Sequence, residues 1–212
     1  MSVPQFTDTQ AVQMNARRAP FDRITIGFHW ATVLIVLALF ASAWLHAQSH
    51  NDALKATVLQ IHRSLGLTIW VATAFRLIWR TTNARLPPFP TDMTMIHRNV
   101  VWGSEYCLYA LLLSQPASGL GATLLSGHRF AVFGWEIPQL MPENATLQLA
   151  FFSAHKLGAL ALGVLVAGHA AAALVHHFVL RDDVLQCMAP AITAERQKPE
   201  FFPGRVIRNR YL

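Results

Sequence analysis

The chain has 212 residues, of which 53% are hydrophobic and only 13% charged, about half the charged share of an ordinary soluble domain. Its net charge of +6 would suit nucleic acid, yet no basic run is interleaved with aromatics as such a surface requires. Basic residues of membrane proteins collect instead on cytoplasmic flanks and set orientation. Composition therefore excludes a nucleic-acid binder and points to a single membrane domain.

Residues 1–22 are polar, contain Pro4 and Pro20, and read as a cytoplasmic N-terminal segment. The apolar run that follows is too long for a signal-peptide core and lacks a small-residue cleavage site, so it reads as a retained helix. A spanning helix needs about 20 mostly apolar residues, and four stretches qualify: roughly 24–46, 56–79, 100–125 and 149–180. The second carries His62, Arg63 and Arg76. The third carries Pro116, Gly119 and Gly121, a predicted kink. The fourth is longer than one span needs, so it is expected to tilt or to project into water. The predicted fold is an all-α membrane protein, a four transmembrane helix bundle over residues 23–182, followed by a basic cytoplasmic tail at 183–212. Cys107 lies in the third span and Cys187 in the tail, so no disulfide is expected.

Twelve of the 17 Lys and Arg residues fall on the side of the N-terminal segment, the loop between the second and third spans, and the tail, with Arg23 and Arg181 at the adjoining helix ends. Four (Lys55, Arg63, Arg129 and Lys156) lie on or near the other side, and Arg76 is within a span. Both termini are therefore predicted to face the cytoplasm, and the basic end of the tail is expected to lie on anionic lipid.

The fourth span contains "AHKLGALALGVLVAGHAAAALVHHF" (residues 154–178), almost wholly apolar yet with four histidines and a lysine. An ionisable side chain inside a membrane needs a partner or a wet cavity. His155 and His169 are 14 residues apart, which is about 21 Å of helical rise with a lag of only ~40° in direction. The fourth helix thus presents two histidines on one face at two depths. His62 matches the depth of His155, and His29 that of His169. His176 fits the depth of His29 slightly better still, and direction alone does not choose between it and His169.

Two opposed imidazoles at each depth suit haem iron, which takes an axial nitrogen from each side. No CxxCH occurs for covalent attachment, so the expected cofactors are two haems b per chain. Gly66 and Gly158 follow their histidines by a turn and Gly168 precedes His169, leaving room for a flat macrocycle. Arg23 and Arg63 sit where propionates would emerge at the two membrane faces. Blander readings compete. A lone histidine near a helix end is commonly interfacial, arginines snorkel to headgroups, and the glycines suit a helix-packing seam. His46, His50, His97 and His128 have no assignable partner, and the tryptophans read as interfacial or packing residues. No P-loop, dinucleotide fingerprint or serine–histidine–acid set is present.

The motifs "RITIGFHW", "IHRSLG", "LYALLLSQPASG" and "HKLGAL…GHAAAALVHHF" together resemble the bacterial cytochrome b561 family, a branch of the four-helix dihaem cytochromes b. The resemblance covers about residues 20–185 and implies His29, His62, His155 and His169 as axial ligands, favouring His169 over His176. It also implies an inner-membrane protein that moves electrons across the bilayer, exchanges them with the quinone pool through ubiquinone, and meets a periplasmic redox partner. Superoxide oxidation is an activity implied for some members, as superoxide:quinone or quinol oxidoreductases, and a homodimer is a further expectation. Two positions depart from the family pattern: Glu105 stands where a histidine is frequent and Lys156 where a glutamate is common. Two other function classes stay open at this point: a cytochrome b anchor subunit of a larger dehydrogenase or hydrogenase-type complex, and a histidine-rich metal-binding transporter.

Overall fold

Each long apolar stretch begins at a residue suited to cap it. In the computed structural model, which describes residues 21–84, 94–181 and 184–189, Asp22 opens α1 (Arg23–Gln48) by accepting from the Thr25 amide at 2.9 Å. Asn51 does the same for α2 (Asp52–Thr82), Thr94 for α3 (Met95–Leu124) and Asn144 for α4 (Ala145–Val175). Side-chain oxygens at these positions satisfy amides that would otherwise lack acceptors. The α4 rod continues through a π-helical turn, His176–Leu180, and stops at Arg181, whose φ is 57°. A short helix α5 (Val184–Met188) follows. The predicted N-terminal segment up to residue 20 and the tail from residue 190 onward lie outside the described residues.

The four long helices match the four stretches expected from hydropathy, within a few residues at each end. α3 is assigned as one helix through Pro116. Between α3 and α4 stands a hairpin that hydropathy did not suggest, β1 (Phe130–Val132) and β2 (Trp135–Ile137), paired antiparallel with Val132 opposite Trp135. Its two turn residues, Phe133 and Gly134, both have positive φ (52° and 84°), the conformation that matches the twist of the strands. The Phe133 amide donates to Ser64 Oγ at 2.8 Å and ties the hairpin to α2.

α1 packs on α2 and α3 on α4, and α2 meets α3 between them. The core is a layer with one buried side chain from each helix, Val36, Ile69, Leu112 and Leu162. Ile69 is seven residues from both His62 and Arg76, and Leu162 seven from both His155 and His169. This apolar layer therefore sits about two turns from either histidine level. Large apolar side chains cover the outside, with Leu34 66% and Leu157 70% exposed. α1 and the rod Ala145–Leu180 are long and apolar enough to cross a membrane, with mean hydropathy of 2.1 and 2.0. α2 carries Lys55, Arg63, Arg76 and Arg80, which dilute its hydropathy although apolar side chains such as Phe75 and Ile78 face outward.

Candidate cofactor site

Two cross-helix histidine pairs lie on either side of the apolar layer. His62 of α2 and His155 of α4 have ring centroids 6.2 Å apart, with planes at 84°. His29 of α1 and His169 of α4 have centroids 6.3 Å apart, with planes at 52°. Metal–imidazole bonds are about 2 Å long, so one ion between two opposed rings puts their centroids roughly 6 Å apart. Both spacings would fit one metal ion held between the two rings. His176 stands elsewhere. Its ring is 5.8 Å from that of His97, at the start of α3.

The surroundings of the His62–His155 pair decide which ring nitrogen is free. Ser42 Oγ gives its own proton to the Leu39 carbonyl at 2.8 Å, so it accepts the Nδ1–H of His62 at 2.9 Å. His155 Nδ1 donates to the Gln115 carbonyl at 3.0 Å. A backbone carbonyl can only accept, so this tautomer is assigned from the partner. In both rings Nε2 keeps its lone pair, the form a metal needs, and the acceptor behind Nδ1 holds the ring's orientation. Helix packing helps: a Cβ on Gly119 would lie 3.1 Å from the His155 ring, and one on Gly158 would collide with the Gln115 amide.

The second pair is held differently. His29 Nδ1 faces Nη2 of Arg76 at 3.5 Å, the outer limit of a hydrogen bond. Among the described residues no hydrogen bond reaches His169, which is exposed at the side of α4. Arg76 lies over the Tyr109 ring at 5.4 Å, and its buried Nε has no acceptor among the described residues. One turn on, Arg80 grips both oxygens of Glu105, at 2.6 and 2.7 Å.

The other expected site residues fall as follows. Gly66 and Gly168 open on space, since a Cβ there would meet nothing within 4 Å, whereas Gly158 serves the α3–α4 contact. Arg63 is half-buried beside His62, its guanidinium 5.7 Å from the Phe130 ring and its Nε without an acceptor among the described residues. Arg23 is exposed at the first turn of α1. Lys156 lies over the ring of Phe152 at 4.9 Å. His46 and His128, unassigned from sequence, meet the carbonyls of Lys55 and Ser126. Sequence reasoning missed Ser42, Gln115 and Ser118, the last of which gives its proton to the Gln115 carbonyl at 2.8 Å and lies 3.2 Å from His155 Nδ1. Their signal was polarity inside apolar helices, which is costly in a membrane unless a partner is present.

Four long, largely apolar helices with opposed imidazoles at two levels make a helical bundle of the kind that spans a membrane. The family model for prokaryotic cytochrome b561 matches residues 20–191. Cytochrome b561 homolog 2 of Escherichia coli (strain K12) is 30% identical over 168 residues, 78% of this chain and 88% of that protein. Homolog 1 of the same organism is 25% identical over 173 residues, 80% and 97% of the two chains. The Yersinia pestis protein named probable superoxide oxidase CybB is 28% identical over 170 residues, 79% and 94%. The chain belongs to the prokaryotic cytochrome b561 family, and is accordingly a haem-binding membrane protein of electron transport.

Proposed function

We propose that this chain is a four-span inner-membrane cytochrome that carries electrons across the bilayer through two haems b. His62 and His155 hold one, His29 and His169 the other. The observation that carries this reading is the pair of ring separations, 6.2 and 6.3 Å, at two levels set by the 14-residue spacing along α4. When bound, a haem would supply a one-electron iron couple. The protein does the rest. Ser42 and the Gln115 carbonyl keep the first pair of rings turned with Nε2 inward. Val36, Ile69, Leu112 and Leu162 keep water out of the gap between the two levels. Arg63 offers a charged donor to a carboxylate at the His62 level.

The charge distribution supports cytoplasmic termini, an orientation in which the His62–His155 pair faces the periplasm. The likeness to a protein named as a superoxide oxidase supports superoxide as a periplasmic donor. Two superoxide anions would each lose one electron to become oxygen, and the two electrons with two protons would convert ubiquinone to its quinol. The absorption spectrum of the purified protein tests the reading. Reduction should give the sharp bands of low-spin haem b, and a protein without them, loaded with a non-haem ion, would overturn it.

A further inference from the structure

The two histidine pairs differ in what stands behind their Nδ1 atoms, and the difference has an electrical sign. We propose that the His29–His169 site holds its iron at the higher potential, and that Arg76 is the positioning residue that sets this order. The inference rests on the two-haem reading above and adds the direction in which electrons settle.

At the His62–His155 level both rings have acceptors behind them, Ser42 Oγ at 2.9 Å and the Gln115 carbonyl at 3.0 Å. An acceptor at Nδ1–H makes Nε2 more basic. A more basic ligand favours the oxidised metal. At the other level His29 Nδ1 faces Arg76, 3.5 Å away, and a guanidinium has donors only. It cannot take the Nδ1–H of an Nε2-ligated ring, and its fixed positive charge favours the reduced metal, which carries one charge fewer.

Two nearby charges oppose this, Glu105 acting on His169 and Arg63 on His62, yet among the described residues neither makes a hydrogen bond to a ring, as Arg76 does. Glu105, on the adjacent helix, is already engaged at both oxygens by Arg80. Arg63, the cation nearest the other pair in sequence, lies against the Phe130 ring. Among the described residues it donates no hydrogen bond to His62 or His155. Arg76 is held in place by the buried ring of Tyr109, and its buried Nε lacks an acceptor among the described residues. Its charge therefore stands directly behind the His29 ring. A unit charge several ångströms from a metal, at the effective dielectric of a protein interior, is worth roughly a tenfold change in a one-electron equilibrium, or about 59 mV.

The test is a spectroelectrochemical titration of the full chain in detergent. Wild type should show two one-electron components. His62→Ala, keeping only the His29–His169 haem, should titrate with the upper one. Arg76→Gln should lower the upper component by roughly tenfold in its equilibrium constant and leave the lower one in place, while Arg76→Lys should retain most of the original value. The proposal is overturned if His62→Ala titrates with the lower component, or if Arg76→Gln binds both haems with both midpoints unmoved. Should Arg76→Gln fail to hold the haem, the His62→Ala midpoint alone decides the order. A wild-type protein with fewer than two haems would sink the parent reading instead, a separate outcome seen before any titration begins.

Discussion

At the scale of single residues, the assignment turns on what each imidazole touches. His169 sits among alanines and glycines, opposite His29, where an uncoordinated imidazole facing lipid is costly. His176 sits in the π-helical turn near the end of the rod and meets His97. His169→Ala is therefore expected to lose the haem on the Arg76 side, whereas His176→Ala keeps two. Haem-to-protein ratios of the two variants check this, and the reverse pattern would move the ligand to His176. The histidines themselves were legible from spacing, because a 14-residue interval returns to nearly the same helical face. The groups behind them were not. Ser42, Gln115 and Ser118 look like ordinary small or polar residues of a helix until the neighbouring helix brings an imidazole to them. Arg76 was read as a cation within a span because nothing in one helix's sequence says which side chain the next helix will set against it.

Among elements, the α3–α4 contact positions the His62–His155 level. Gln115 enters the space left by Gly158, and Gly119 backs on the His155 ring. A side chain at 158 must push α3 away from α4, and overpacking of this kind costs about 1–3 kcal/mol. Gly158→Val is expected to weaken haem retention at that level by roughly tenfold while leaving the other level loaded. Competition with apomyoglobin, followed optically, would measure the two release phases. Equal release from both levels would show that Gly158 acts on the whole bundle instead. The long helices were readable from apolar length and their caps. The hairpin was not, because a bulky Phe133 at φ 52° is a poor turn signal and the strands are three residues each. Its place is set by the Phe133–Ser64 bond to α2, a tertiary contact.

For the whole molecule, the apolar layer of Val36, Ile69, Leu112 and Leu162 lies between the two histidine levels, and the charge distribution predicts which level faces out. Twelve basic residues on the side of the termini predict that a fluorescent reporter fused after Leu212 glows in the cytoplasm, and that a phosphatase active only in the periplasm stays silent there. The opposite result would exchange the faces of the two sites and reverse the sense of transfer. The central claim, two haems on two histidine pairs, is tested most directly by the haem-to-protein ratio of the purified chain beside that of His62→Ala. The account predicts two haems b per wild-type chain and one in the variant. A ratio of one in wild type, or of two in His62→Ala, would contradict it.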